Sequence, residues 1–366
     1  MALRTLVADD SVVFRRAITE ALATLPDVVV IGTAPNGKIA LQKVIELRPD
    51  LLTLDIEMPE LDGIGVLEAM RAQAIDTSVI VVSAVTQRGG RLTMQALEKG
   101  AFDFVTKPQG MSASDSIALI TKDLTPRVRA LAHRRQIRAI LRPGSLPPPG
   151  KEKSAGNVHR PTNSSVNRTG TQRPEFVLIG VSTGGPAALA RILPMIPSDL
   201  GVPVLIVQHM PPFFTQSLAE SLAARCSLKV MESGDNQLLL PNHVYIAPGG
   251  RQMKLIQAQD GQIRTQLTDD PPENNCKPSV DYLFRSASQC IPGRAMAVIL
   301  TGMGNDGTNG LRLLRRHGCF TIAQDEATSV VFGMPKSAIE ANLVDTILPV
   351  DTIASRVTST VKGRSA

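Results

Sequence analysis

The stretch Gly180-Val181-Ser182-Thr183-Gly184 puts a serine at the centre of a G-x-S-x-G pattern, behind the apolar run FVLIGV and ahead of the helical PAALARIL. A serine hydroxyl attacks a carbonyl carbon only with help. A base must take its proton, a third group must orient the base, and N–H donors must face the developing oxyanion. Of five histidines, His133 and His159 lie in a basic helix and linker stretch, His243 opens a strand, and His317 precedes Gly318 at a helix end. His209 instead ends PVLIVQH, the next strand after the one that carries Ser182. Sequential βα units tend to be neighbours, so His209 is expected beside Ser182 at one sheet edge. A third apolar run, AVIL, enters the glycine-rich turn TGMGNDG, which carries Asp306. Asp-Gly alone is only a turn signal; at the end of its own strand, Asp306 becomes the candidate orienter. The oxyanion donors are expected among the N–H groups of Thr183, Gly184 and Gly185 and in the loop around Met303.

The same strand, turn and helix would also suit a phosphate on a helix N-terminus. A dinucleotide fingerprint needs G-x-G-x-x-G and a P-loop needs G-x-x-x-x-G-K-[ST]. GVSTGGPAALA supplies neither, and no acid ends PVLIVQHM, where a ribose would be read. The order Ser182, His209, Asp306 also differs from the Ser-Asp-His order of α/β-hydrolases, so the pentapeptide does not place the chain there.

A second constellation lies near the start. Asp9 and Asp10 end RTLVADD, Asp55 ends LLTLD, Ser83 ends VIVVS, and Lys107 ends FDFVTK just before Pro108. Functional groups in doubly wound sheets gather past the C-terminal ends of the strands. Three carboxylates gathered there repel and raise one another's pKa. Mg²⁺, which favours a few carboxylates plus water and phosphate oxygens, removes the conflict. A metal-bridged Asp55 then becomes a nucleophile toward a phosphoryl donor and forms an acyl phosphate. Lys107 would pair with the new charge, and Ser83 would hydrogen-bond a phosphoryl oxygen. Each residue alone reads as strand-end punctuation; all five in one series read as a site.

The elements that must position these groups follow from periodicity. From Leu3 to Lys107, five short apolar runs alternate with helical stretches, which predicts a parallel sheet with helices on both faces. A helix is expected from about Ser112 to Ile140. From Glu175 the alternation resumes in FVLIGVS, PVLIVQHM, LKVMES, AMAVILTGM and FTIAQD, with HVYIAPGGRQMKLIQ and QIRTQL as a small antiparallel insertion. The fold class is therefore α/β, with two doubly wound parallel-sheet domains: a flavodoxin-like one and a Rossmann-like one. The division expected is 1–125, a helix end and flexible Pro/Ser-rich linker at 126–174, and 175–366.

Composition bounds the partners. The chain has 366 residues and a net charge of +6, but between Arg127 and Pro174 there are 11 Lys/Arg and one acid, Glu152. Without that segment 28 basic residues face 32 acidic ones, so the folded parts are mildly acidic and no nucleic-acid partner is expected. Without tryptophan and with 3% aromatics, the chain offers few base-stacking platforms. The opening residues lack the apolar core of a signal peptide, and no apolar run is long enough to span a bilayer. Four cysteines without a C-x-x-C pair suit a reducing cytoplasm and predict no zinc site.

VADDS, LLTLDIEMPELDG, VVSAVT and AFDFVTKP together resemble the receiver domain of two-component response regulators. That resemblance implies phosphorylation of Asp55 by a histidine kinase, with Mg²⁺ on Asp10 and Asp55 and Asp9 in support. It also makes Phe104 the aromatic residue that changes rotamer on activation, with Ser83 at the hydroxyl position. Behind it, IGVSTGGP, QHMPPFFTQSLAE, VYIAPGG, KPSVDYLF and LTGMGNDG resemble the chemotaxis protein-glutamate methylesterases of the CheB type. The family implies catalysis by Ser182, His209 and Asp306 without a cofactor, on γ-glutamyl methyl esters in the cytoplasmic helices of methyl-accepting chemoreceptors. It also implies deamidation of receptor glutamines. The chain departs from the family in a longer, more basic linker and in Cys276, where a polar residue is expected; neither is expected to touch the triad. Two other classes are a regulator with a nucleic-acid-binding output domain, which the charge distribution disfavours, and an adaptor with an inactive triad.

Overall fold

The computed structural model describes residues 2–108, 110, 112–141 and 173–363. In the first half, β1 (Leu3–Ala8), α1 (Val12–Ala23), β2 (Val28–Ala34), α2 (Gly37–Leu47), β3 (Leu51–Asp55), α3 (Gly63–Ala72), β4 (Ser78–Ser83), α4 (Gln87–Glu98) and β5 (Asp103–Thr106) alternate, and α5 (Ala113–Leu141) closes the series. The five strands lie parallel in the order β2-β1-β3-β4-β5. β3 is buried along its whole length, as expected of a strand covered on both faces. Ser11, Asn36, Asp62 and Thr86 start the first four helices by accepting a backbone N–H in their first turn.

The second half contains β6 (Phe176–Val181), α6 (Gly185–Ile192), β7 (Val204–Gln208), α7 (Phe214–Ala223), β8 (Lys229–Glu232), β9 (His243–Ile246), β10 (Gln252–Gln257) and β11 (Ile263–Thr268). It continues with α8 (Val280–Cys290), β12 (Ala295–Ile299), α9 (Thr308–Arg316), β13 (Phe320–Gln324), α10 (Met334–Glu340), β14 (Thr346–Leu348) and α11 (Val350–Lys362). Seven strands form a parallel sheet in the order β14-β13-β12-β6-β7-β9-β8, and β10 pairs with β11 as a separate antiparallel hairpin. The two α/β domains and the hairpin agree with the expected fold class. One assignment changes. HVYI does not join the hairpin but runs parallel between β7 and β8, because Val244, Tyr245 and Ile246 are all fully buried.

The helix expected over 112–140 is α5. The Pro/Ser-rich linker from 142 to 172, with His159, lies outside the described residues, as does the side chain of His133. The two halves touch through α4 and α7. The rings of Phe104 and Phe214 stack with centroids 4.8 Å and planes 5° apart, and Glu98 pairs with Arg225. Val330 and Val331 of the second half pack against the apolar cluster of α1 and α5. Among the described residues no helix is long and apolar enough to cross a membrane.

Candidate functional site

The strand order of the larger sheet reverses between β6 and β12, which opens a crevice past their C-terminal ends. Ser182 follows β6, Asp306 follows β12, and His209 follows β7 on the other side of β6. Backbone hydrogen bonds tie these three ends together. Ser182 N donates to Thr301 O at 3.0 Å, and His209 N donates to Val181 O at 3.2 Å. Two glycines are required at this turn. Gly184 has φ 77°, and a Cβ there would sit 2.4 Å from Val330. At Gly302 a Cβ would sit 2.8 Å from the Ser182 Cβ and 2.4 Å from the Met334 sulfur. No acceptor is found for the N–H groups of Thr183, Gly184 and Met303 among the described residues.

His209 Nε2 lies 2.8 Å from Asp306 Oδ2. The Asp306 carboxylate also accepts from Asn274 Nδ2 at 2.9 Å, Ser279 Oγ at 2.9 Å, and the N–H groups of Val280, Asp281 and Gly307 at 2.7 to 3.1 Å. Three of these donors form the start of α8, whose dipole favours a negative charge there. Burial alone pushes the Asp306 pKa up, but the partners outweigh it and hold it down to about 2. An ionised Asp306 assigns the proton of His209 to Nε2, leaving Nδ1 as the basic nitrogen.

Nδ1 faces the Cys276 sulfur at 3.5 Å, so Cys276 does touch the triad, against expectation, because the hairpin that carries it folds over His209. No hydrogen bond joins the Ser182 hydroxyl to His209 among the described residues, although their backbones share one sheet edge through Val181 and Thr301. Such bonds commonly tighten only with substrate in place. Cys276 comes from a two-residue hairpin, Glu273 to Cys276. It is closed by backbone bonds of 3.1 and 2.7 Å, with φ of 51° and 60° at Asn274 and Asn275. Asn274 and Ser279 were not legible as site residues, although Ser279 ahead of VDYLF carries the signal of a helix N-cap. His243 bonds Pro241 O and His317 ends α9, both away from this crevice.

Burial pushes the His209 pKa down. Hydrogen bonds to Asp306 and Cys276, and their charges, outweigh it and raise the pKa to about 9. A histidine that serves as general base must be neutral, so a rate that depends on His209 in that role is expected to rise with pH and level off above about 9. Stability moves the other way. The contribution of protonated His209 is complete below its ordinary 6.5 and is lost as pH rises through about 9. A rate profile flat from pH 6 to 10 would contradict this.

The smaller sheet reverses between β1 and β3, and its acids gather there. Oxygens of Asp9, Asp10 and Asp55 lie within 4.8 Å of one another. Lys107 Nζ reaches Asp55 at 2.7 Å and Asp9 at 3.0 Å. Burial, with Asp9 beside it, raises the Asp55 pKa to about 6 against the pull of Lys107. Three close hard oxygens, with Asp10 exposed and burial raising the pKa of both Asp9 and Asp55, fit a Mg²⁺ site. Ser83 Oγ bonds Gly89 O at 3.2 Å, and Phe104 is buried in the contact with Phe214.

Comparison with known proteins covers both halves. The family model of the CheB methylesterase matches residues 177–357, and that of the response regulator receiver domain matches residues 5–117. A protein-glutamate methylesterase/protein-glutamine glutaminase of Desulfotalea psychrophila is 45% identical over 361 residues, covering 98% of this chain and 99% of the relative. One of the same description from Trichodesmium erythraeum is 41% identical and covers 97% of each chain. The solved catalytic domain of the Thermotoga maritima CheB methylesterase is 41% identical. It covers 51% of this chain and 99% of its own, with a TM-score of 0.50.

Proposed function

Because the chain belongs to the CheB family of receiver-linked methylesterases, we propose that Ser182, His209 and Asp306 carry out its hydrolysis of glutamate γ-methyl esters on chemoreceptors. The observation that carries this reading is the convergence of the three residues at one switch point, with Asp306 bonded to His209 at 2.8 Å. His209 Nδ1 takes the Ser182 proton as Oγ attacks the ester carbonyl. The Thr183, Gly184 and Met303 N–H groups stabilise the oxyanion. His209 then gives the proton to departing methanol and activates a water that releases the glutamate carboxylate. Asp306 holds the tautomer and the imidazolium throughout. The same steps with ammonia as leaving group deamidate a receptor glutamine.

The division at 1–125, 126–174 and 175–366 is part of this reading. So is control by phosphorylation: a histidine kinase donates its phosphoryl group to Asp55, and Asp9, Asp10 and Asp55 would hold a Mg²⁺ that would supply charge screening there. Lys107 and Ser83 take up the phosphoryl oxygens, and Phe104 lies where that change meets α7. Receptor methylation sites on cytoplasmic helices put the enzyme in the cytoplasm, without nucleic acid and without insertion into the membrane.

The test is Asp55→Asn, assayed with and without a small phosphodonor. Wild type is expected to release methanol faster with the donor and Mg²⁺, and the variant to show no response. The variant also removes a buried charge. Asp55 is 3% exposed and its pKa rises from 3.8 to about 6, so its ionisation costs stability as pH rises through that window. At pH 7.5 the variant is expected to gain up to about 3 kcal/mol in the receiver. A variant that still responded to the donor would contradict the control mechanism.

A further inference from the structure

The Cys276 thiol lies at the catalytic centre, yet no step of hydrolysis uses it. We propose that Cys276 Sγ and His209 Nδ1 form a binding site for a thiophilic divalent cation of the zinc class, which shuts the esterase by occupying the lone pair of its base.

Four observations carry this. First, the two atoms are 3.5 Å apart. A tetrahedral zinc with bonds of about 2.3 Å to sulfur and about 2.0 Å to nitrogen spaces those atoms by about 3.5 Å. Second, the imidazole is already set as a metal ligand. Its Nε2–H goes to a carboxylate at 2.8 Å, as a metal-ligating histidine requires, so Nδ1 presents its lone pair. Third, the sulfur is fixed from its own side. The hairpin that carries it is closed by two backbone bonds, and Asn274 ties its turn to Asp306. Fourth, His209 and Cys276 are both half-buried rather than sealed, so water completes the coordination shell. On binding, the Cys276 thiol releases its proton to solvent and the thiolate takes the cation.

The donor set also separates this site from the receiver. Asp9, Asp10 and Asp55 offer only hard oxygens and suit Mg²⁺, whereas a thiolate and an imidazole select a softer ion. The absence of a C-x-x-C pair hid this arrangement, because His209 and Cys276 are 67 positions apart and meet only in the fold.

The inhibitory consequence rests on the proposed role of His209 as base; the binding does not. The full chain is titrated with cobalt chloride, and the thiolate-to-cobalt charge-transfer band in the near ultraviolet is followed. Wild type, Cys226→Ser and Ser182→Ala are expected to show the band, and both Cys276→Ser and Cys276→Ala to lack it. Zinc chloride is expected to suppress methanol release by the wild type and EDTA to restore it, with Cys276→Ser needing at least tenfold more zinc. A wild-type spectrum without the band, a band that survives in both Cys276 variants, or equal zinc sensitivity in Cys276→Ser overturns the proposal. An active Ser182→Ala would instead overturn the catalytic reading and leave the band in place.

Discussion

Replacing Ser182 with alanine is expected to lower methanol release from methylated receptors by about 10⁴- to 10⁶-fold. The variant lacks the oxygen proposed to attack the ester, and what remains is binding and the proposed oxyanion donors. Neither forms an acyl-enzyme. The loss should appear in kcat, with receptor binding little changed. The substitution should also be structurally mild. The Ser182 hydroxyl makes no hydrogen bond among the described residues, and the turn is held by the Ser182 backbone to Thr301, by Thr301 Oγ1 to Thr183 O at 2.9 Å, and by Gln208 to Ser182 O at 2.9 Å. An unfolding transition close to wild type, together with lost turnover, separates chemistry from misfolding. Activity within tenfold of wild type would remove Ser182 from the mechanism.

Asp306→Asn is expected to cost about 10³- to 10⁴-fold in kcat and to cost stability as well. The kinetic loss is a tautomer effect. An amide placed where Oδ2 now lies donates to Nε2, and the ring proton moves to Nδ1, the nitrogen proposed to accept from Ser182. The stability loss follows from the donors. Oδ2 accepts from His209 and from Val280 N at 2.7 Å, so an amide N–H₂ there meets the Val280 N–H donor to donor, while Oδ1 keeps Asn274, Ser279, Asp281 and Gly307. The opposite flip exchanges one conflict for four. Leaving buried donors unpaired costs about 1–3 kcal/mol. Because Asp306 is the foremost partner raising the His209 pKa, the inflection near 9 should move down in the variant. Kinetics against pH, with thermal unfolding alongside, check both effects. An unchanged inflection would mean that Asp306 does not act through His209.

The three catalytic candidates were legible because each ends an apolar strand, and parallel sheets deliver strand ends to one edge. The acids of the receiver were legible for the same reason. Asn274 and Cys276 were not, because an irregular hairpin brings them to the triad and no periodicity marks their side chains. HVYI was misplaced because a four-residue apolar run before Gly249-Gly250 reads equally as an edge hairpin or a buried parallel strand. Only the burial of Val244, Tyr245 and Ile246 decides between them. The stack of Phe104 on Phe214 was also out of reach, since it joins two halves whose connecting residues carry no pattern that sets their placement. The receiver resemblance marks Phe104 as the switch aromatic, but nothing in AFDFVTKP or QHMPPFFTQSLAE pairs it with Phe214.

The central claim is that one chain joins a phosphate-accepting Asp55 to a serine esterase centred on Ser182. The measurement that tests it most directly is release of labelled methanol from membranes carrying methyl-labelled chemoreceptors, using the full-length protein with and without Mg²⁺ and a phosphodonor. The wild type is expected to release methanol, faster with the donor, and Ser182→Ala to release none above background. No methanol from the wild type under either condition, or equal release by Ser182→Ala, would contradict it.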